Sequence, residues 1–232
     1  DAANLLGRLS ANRLPTTDGG IRLVHMLTDL GGIECEMTVT RLAHDRYYLN
    51  SAITGTTHDL DWLAQHVLPG EDVTIADVTD ATAILAVTGP RARDVLATCT
   101  DADLSSKAFP WLTAREVHVA GVPVTALRVS YVGELGWELY VPTEFAPGVY
   151  DAIVGEGVSQ IILTNRNHSR AANLIRARTG AQTAIHADDA DHAKSQDTEI
   201  DVVLLQAVDD GPGMILRTVL PEETNGRLQR AW

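Results

Sequence analysis

The stretch RVSYVGELGWELYV, residues 128–141, constrains the fold more than any other part of the sequence. Apolar residues occupy alternate positions on both sides of the motif GELG, residues 133–136, which is the period-two pattern of a half-buried strand. Because glycine is disfavoured inside strands, the motif predicts a bulge or tight turn that lets the backbone approach a neighbouring group closely. Glu134 then projects from a rigid point, either as a site residue or as an ordinary exposed turn residue.

Charge and cysteine content limit the classes of partner. The 232 residues include 31 acidic and 18 basic side chains, so the net charge is -13. This balance offers no basic footprint for nucleic acid or an anionic membrane, and we expect neither as a partner. Two cysteines, Cys35 and Cys99, are too few for a disulfide scaffold, which indicates a reducing, cytoplasmic setting. Because Asp1 is not a natural first residue, we expect a fragment or a processed product.

The order of apolar runs and turn residues predicts an α+β fold. A helix ends before Pro15, and the runs IRLVHML, IECEMTVTRL and RYYLNSAI then predict a three-strand meander. A further helix is expected over residues 58–68, with Thr57 as its N-cap. Farther along, REVHV and VPVTALRVSY predict a hairpin about Ala120-Gly121.

Asp59 is a second candidate site residue, in the first turn of the expected helix. The helix dipole favours any carboxylate there by about 0.3 to 1 kcal/mol, so a structural role explains Asp59 as well as a chemical one does. The acidic run HADDADH, residues 186–192, lacks the glycine and spacing of a calcium loop and is typical of solvated surface, so no metal ligands are predicted. The sequence has no P-loop, GxGxxG or GxSxG motif, which argues against the common nucleotide-binding and serine-hydrolase classes.

Three segments resemble one known family in consistent order along the chain: residues 31–63, residues 87–96 and, above all, LRVSYVGELGWELYVPTEFAPGVYDAI at residues 127–153. They look like the folate-binding aminomethyltransferase fold of the glycine cleavage T-protein. They most resemble the form fused to the C-terminal side of dimethylglycine and sarcosine dehydrogenases. The resemblance covers residues 1 to about 155.

The resemblance implies a set of folate-binding residues. The glutamate of the GE-x-G segment, here Glu134, is expected to hold the pterin ring of tetrahydrofolate, because a carboxylate can accept two adjacent N–H donors of that ring at once. The aspartate of the D-L-x-W segment, here Asp59, is expected beside the reactive nitrogen. Tyr131 and Trp137 are candidates for packing near the ring.

The chemistry implied by the resemblance is one-carbon transfer. Tetrahydrofolate attacks an iminium or aminomethyl carbon of an amine-derived donor and closes to 5,10-methylenetetrahydrofolate. Such a reaction needs two positioned reactants and negative charge beside a developing cation, without a covalent nucleophile. Asp59 suits that role. Association with a flavin-dependent amine dehydrogenase domain is also implied.

Family members continue beyond the matched region on both sides. We expect the present chain to consist of three segments. Residues 1–80 are expected to form a partial first folate-binding subdomain and residues 81–155 a second one. Composition shifts after Gly155, and residues 156–232 are expected to form a short α/β segment of unknown role. Catalysis by this chain alone is therefore an open question, as is its origin as a fused or rearranged gene.

Residues 158–190 resemble part of a metallo-beta-lactamase-type hydrolase, in which a strand ends in LTH-x-H-x-D-H. The same frame here reads LTNRNHSR, residues 163–170, so poor ligands or non-ligands stand at the positions that would bind zinc. This resemblance implies a degenerate, metal-free piece.

Three alternatives to an active one-carbon transferase stay open at this point. The chain is a folate-binding module without turnover, a structural or misassembled fragment with unpaired edge strands, or, on residues 158–190 alone, a hydrolase. Binding of tetrahydrofolate without catalysis, aggregation without folate binding, and stoichiometric zinc would favour these alternatives in turn.

Overall fold

The computed structural model describes residues 1–130, 133–155, 160–163, 172–204, 207–209 and 214–216. The chain divides into two units, Asp1–Tyr150 and Asp151–Trp232. Within these described ranges no helix has the length and apolar character needed to cross a lipid bilayer. The mixture of helices with antiparallel sheets is the α+β class expected from the sequence.

The first unit contains a helix, a three-stranded sheet, a second helix, a four-stranded sheet with an inserted helix, and a helix that runs past its end. In chain order these are α1 (Ala2–Leu9), β1 (Ile21–Leu27), β2 (Ile33–Ala43), β3 (Arg46–Asn50), α2 (Thr56–Gln65), β4 (Thr82–Thr88), α3 (Ala92–Cys99), β5 (Ala114–Val119), β6 (Val122–Leu127), β7 (Gly136–Pro142) and α4 (Ala146–Gly155).

Strands β1, β2 and β3 form an antiparallel sheet in sequence order, which confirms the predicted meander. Alternate residues of β2 point inward, so Cys35, Met37 and Val39 are almost fully buried. They pack with Leu6 of α1 and Leu63 of α2 in one apolar cluster. Burial of these side chains fixes α2 against the inner face of the sheet.

The second sheet is antiparallel with the order β4-β7-β6-β5. Strands β5 and β6 form the predicted hairpin, and both residues of its two-residue turn have positive φ, Ala120 at 51° and Gly121 at 78°. That backbone matches the twist of the flanking strands. A bridge between Gly20 and Thr113 connects this sheet with the first one.

Gly19 is required where the two sheets meet. Its amide donates to the Arg41 carbonyl at 2.7 Å, and its carbonyl accepts from the Ala114 amide at 2.7 Å. Its φ is +77°, and a Cβ at this position would lie 2.7 Å from the Ala114 carbonyl oxygen. A side chain is therefore excluded both by backbone conformation and by the close approach of β5.

The stretch that opened the sequence analysis is a connection followed by a strand, rather than one bulged strand. Strand β6 ends at Leu127 and β7 begins at Gly136. Gly133 has a φ of +78°, as a tight turn requires, and the Gly89 amide donates to the Leu135 carbonyl at 2.8 Å. A Cβ at Gly136 would lie 2.8 Å from Cγ2 of Thr88, so this glycine lets β7 pair closely with β4.

Helix α2 starts earlier than the sequence predicts. The expected range was 58–68 with Thr57 as N-cap, whereas the helix covers Thr56–Gln65 and Gly55 is its N-cap. A one-turn 3-10 helix over Ile53–Gly55 leads directly into α2, which places Thr57 inside the helix. The prediction of Thr57 as cap was wrong because a capping side chain is not used there.

The second unit contains a parallel sheet with the order β10-β9-β8, as expected for an α/β segment. Its elements are β8 (Gln160–Leu163), α5 (Ala172–Thr179), β9 (Gln182–His186), α6 (Ala187–Ser195) and β10 (Val202–Leu204), followed by the paired strands β11 (Ala207–Asp209) and β12 (Met214–Leu216). Residues 164–171, which carry most of the hydrolase-like frame, lie outside the described residues.

Candidate functional site

Asp59 lies in the first turn of α2, as predicted from the sequence. Its carboxylate folds back over the helix N-terminus, where a Cβ on Gly55 would lie 3.4 Å from Oδ2. The side chain is only 14% exposed, so the carboxylate is partly sheltered from solvent. A partly buried carboxylate at a helix N-terminus gains from the helix dipole, which is the structural role that the sequence left open.

Three polar side chains donate hydrogen bonds to the Asp59 carboxylate and keep it ionised. Burial raises the pKa of Asp59, but hydrogen bonds from Ser51, His58 and Cys35 outweigh this effect, and the net pKa lies below its usual range. His58 Nδ1 lies 3.1 Å from Asp59 Oδ1, and His58 Nε2 lies 2.8 Å from Oε1 of Glu34. The ring of His58 thus connects two carboxylates.

Cys35, on β2, is the most deeply buried residue of this group, with an exposed fraction of 2%. Its burial, and to a smaller extent its hydrogen bond to Asp59, raise the pKa of the thiol to about 12. The hydrogen bonds to Asp59 and Glu34 raise the pKa of the His58 imidazole above its usual value. At neutral pH Cys35 is therefore a thiol that donates to an aspartate.

A cleft of about 1160 Å³ opens in front of Asp59 within the first unit. Pockets that enclose small molecules measure about 300 to 1,000 Å³, so the cleft has room for a bicyclic ring and a tail. Its lining combines two tyrosines with polar and charged side chains that include Tyr47, Tyr48, Asn50, Ser51, Asp59 and Arg115. The cleft can therefore stack a flat ring and bind polar groups along its edge.

Glu134 lies in the turn between β6 and β7, partly exposed, and it is not among the residues that line this cleft. Of the two glycines of the motif, Gly133 has a φ of +78° and Gly136 approaches Thr88 of β4 closely. Tyr131, the second residue predicted to contact the ring, lies outside the described residues. The shared use of one pocket by Glu134 and Asp59 stays a prediction.

Trp137, the third predicted contact, is fully buried at the start of β7. Its ring meets Phe109 edge to face, with centroids 6.1 Å apart, and the guanidinium groups of Arg93 and Arg128 lie 5.7 and 5.5 Å from it. Arg128 donates from Nη1 to the Phe109 carbonyl at 2.5 Å. Trp137 therefore anchors the strand below the Glu134 turn, and its contact with a ligand stays a prediction.

Sequence reasoning missed the neighbours of Asp59. Cys35 and Glu34 are about 25 residues away along the chain, on β2, and no local pattern places them beside α2. The alternation of IECEM indicates that Cys35 faces inward, and inward-facing residues of a meander are the ones that a following helix can reach. The alternation therefore shows which face of the sheet Cys35 lies on, but only the packing of α2 against that face shows that its partner is Asp59.

The acidic run at residues 186–192 forms the start of α6. His186 is its N-cap and accepts from the Asp188 amide at 3.3 Å, while Asp188 and Asp189 occupy the first turn. Acidic residues in the first turn of a helix are stabilised by the helix dipole. The run therefore has a sufficient structural explanation.

Comparison with known proteins gives consistent results for the first unit and for the beginning of the second. The GCVT N-terminal domain family matches residues 1–182. Human dimethylglycine dehydrogenase, mitochondrial, is 40% identical over 158 residues, which are 68% of this chain and 18% of that protein. The aminomethyltransferase of Shouchella clausii is 36% identical over 158 residues, 68% of this chain and 42% of that protein.

A solved structure has the same fold. The glycine cleavage system aminomethyltransferase T from Bartonella henselae superposes with a TM-score of 0.56 and 25% sequence identity, over 66% of this chain and 40% of that one. The chain thus spans less than half the length of these relatives. The similarity agrees with the aminomethyltransferase-like fold expected from the sequence.

Proposed function

Because this chain belongs to the GCVT N-terminal domain family, we propose that its first unit binds tetrahydrofolate and transfers a one-carbon unit to it from an amine-derived donor. Dimethylglycine dehydrogenase and aminomethyltransferase among its relatives support this class of donor. Given the family match, the single observation that carries the proposal is an ionised Asp59 on a large cleft.

Asp59 is the residue proposed to act on the reacting carbon. Within the described part of the chain, its ionic partner is His58, and no arginine or lysine pairs with it. The carboxylate keeps its negative charge because hydrogen bonds lower its pKa, yet no fixed cation neutralises it. A cationic iminium donor brought to the cleft would find negative charge already placed, which is electrostatic stabilisation by a preorganised group.

Glu134 is the residue proposed to hold the pterin ring. Its side chain is partly exposed, and the salt bridges among the residues that the structure describes do not include it. Each charge-assisted bond to a sheltered ring N–H contributes about 1.5 to 3 kcal/mol. The two glycines support this role, because the positive φ of Gly133 and the close approach of Gly136 to Thr88 define the backbone that carries Glu134.

Tetrahydrofolate, when bound, supplies the nitrogen that accepts the one-carbon unit. The chain contributes position and charge: Tyr47 and Tyr48 offer ring surfaces, and Asp59 offers the anion. Shelter of Asp59 from solvent strengthens its attraction for a cation. We further propose that the donor comes from an amine dehydrogenase domain that uses flavin, since the human relative is a dehydrogenase of which this chain covers 18%.

The experiment that tests the proposal uses the 232-residue chain, tetrahydrofolate and formaldehyde. Formaldehyde condenses with tetrahydrofolate to give 5,10-methylenetetrahydrofolate and water, and the product is followed against the uncatalysed rate in the same buffer. Calorimetry measures tetrahydrofolate binding in parallel. Binding with acceleration supports the transferase, binding without acceleration leaves a folate-binding module, and absence of binding contradicts both.

A further inference from the structure

Three potential metal ligands come together where β2 passes the start of α2. One ligand atom from each of Cys35, His58 and Asp59 lies within 4.8 Å of the other two. They are contributed by two elements that the core cluster holds together, since Leu63 of α2 packs against the face of β2 that carries Cys35. Their proximity is therefore a property of the fold and not of two mobile side chains.

The donor set and the spacing suit a zinc-like ion. A thiolate, an imidazole and a carboxylate are the three protein ligand types that Zn²⁺ accepts. With bond lengths of about 2.0 to 2.3 Å, two ligands of one tetrahedral zinc lie about 3.3 to 3.6 Å apart. His58 Nδ1 and Asp59 Oδ1 are already 3.1 Å apart, and Cys35 is hydrogen-bonded to Asp59, so side-chain movements of about 1 Å would complete the triangle.

Glu34 supplies the outer partner that a metal-binding histidine needs. Its Oε1 lies 2.8 Å from His58 Nε2, so donation of the Nε2 proton to Glu34 would leave Nδ1, which lies 3.1 Å from Asp59 Oδ1, to bind the metal ion after the Nδ1 proton passes to solvent. A carboxylate that accepts from the remote ring nitrogen fixes both the tautomer and the ring orientation of a zinc-binding histidine. Glu34 is 23% exposed and His58 is 53% exposed, so the cluster is accessible to an ion from solvent.

The cluster also holds two carboxylates, Glu34 and Asp59, whose negative charge a divalent cation would offset. A bound metal ion takes Cys35 as the thiolate, so the thiol proton passes to solvent when the metal binds.

From these contacts we infer that Cys35, His58 Nδ1 and Asp59 form a binding site for a zinc-type divalent metal ion, with Glu34 as the outer partner of His58. Three protein ligands leave a fourth position for water or a ligand from the cleft, which Asp59 lines. The inference does not rest on the proposed folate chemistry. Because metal and amine-derived cation would both engage Asp59, a bound metal should lower the rate of one-carbon transfer.

The test is titration of the full chain with Co²⁺ after removal of metals by a chelator. Cobalt bound to a thiolate gives a charge-transfer absorption band in the near ultraviolet, which reports Cys35 directly. We expect one equivalent of Co²⁺ to produce the band and one equivalent of Zn²⁺ to abolish it. Cys99→Ser should retain the band and Cys35→Ser should lose it, whereas absence of the band from the unaltered chain would overturn the inference.

Two further variants, His58→Ala and Glu34→Gln, test the metal site without altering the apolar core. Cys35 is buried, so circular dichroism checks that Cys35→Ser folds, whereas His58 is 53% exposed and can be replaced without loss of packing. His58→Ala should weaken Co²⁺ binding at least about tenfold, and Glu34→Gln should weaken it about 10- to 100-fold. Unchanged affinity in His58→Ala would refute the site, whatever the behaviour of the Cys35 variant.

Discussion

Two aspartates with lowered pKa values, Asp59 in the first unit and Asp201 in the second, are held ionised in different ways. Asp201 accepts two bonds from Arg176, at 2.7 and 3.0 Å, and a third from the Thr183 amide at 2.8 Å, which together lower its pKa to about 2. Asp59 is kept ionised by Ser51, His58 and Cys35.

The difference separates a structural carboxylate from a reactive one. A bidentate arginine neutralises Asp201 and uses both of its oxygens. The partners of Asp59 are a hydroxyl, a thiol and an imidazole. Because none of them is an arginine or a lysine, the Asp59 carboxylate can still form an ion pair with a bound cation. An ionised carboxylate without an arginine or lysine, placed on a cleft, is therefore the more informative sign of function.

The largest expected effect concerns catalysis by Asp59. Replacement by asparagine keeps the shape and the hydrogen-bond acceptor but removes the negative charge beside the developing cation. We expect Asp59→Asn to lower the rate of methylenetetrahydrofolate formation by about 100-fold or more. Asp61→Asn, two residues farther along the exposed side of α2, removes the same charge and should change the rate by less than about twofold.

The next effect concerns stability, for which we expect Asp201 to matter more than Asp59. Asp201→Asn leaves Arg176 with a weakened partner, so we expect the free energy of unfolding to fall by about 1 to 2 kcal/mol in urea titration. Asp191→Asn on the exposed face of α6 is the matched control and should change it by less than about 0.5 kcal/mol.

If Asp59→Asn destabilises the chain more than Asp201→Asn does, the distinction between the two carboxylates is wrong. The Asp59 oxygen that remains in asparagine can still accept from Ser51 and Cys35, so a loss below about 1 kcal/mol is expected. The same variants thus rank oppositely in rate and in stability.

The smallest effect concerns acid. Because the pKa of Asp201 is about 2 in the folded chain and 3.8 as the unperturbed value, the folded state binds protons less readily than the unfolded state. The stabilisation from Asp201 is thus present above about pH 4 and is lost as the pH falls towards 2. We expect the stability difference between the unaltered chain and Asp201→Asn to shrink by about 1 kcal/mol over that range, since solvent screens the pair. A difference that does not vary with pH would contradict the assignment.

Local patterns predicted those parts of the fold that depend on local conformation. The Ala120-Gly121 hairpin was correct because a two-residue turn requires positive φ and the flanking runs alternate. The stretch around Gly133 was predicted as a bulge or tight turn between alternating positions, and Gly133 has the positive φ of a turn. The alternation continues through the connection, although β6 ends at Leu127 and β7 begins at Gly136. Periodicity describes faces and does not show where hydrogen bonding stops.

The cluster around Asp59 could not be predicted for a different reason. The sequence singled out Asp59, but Cys35 and Ser51 reach it, and Glu34 reaches His58, only after β2, β3 and α2 pack together. The boundaries at residues 80 and 155 and the cytoplasmic setting stay predictions. The chain itself divides between Tyr150 and Asp151.

The central claim is that the turn before β7 presents one carboxylate, Glu134, to the donor edge of a pterin, and calorimetric titration of tetrahydrofolate into Glu134→Gln tests it most directly. Glu144→Gln, an exposed neighbour in the one-turn helix after β7, carries the same charge change and serves as control. We predict affinity about 10- to 100-fold lower for Glu134→Gln, equivalent to about 1.5 to 3 kcal/mol, and unchanged for Glu144→Gln. Equal affinity in both variants would contradict the account.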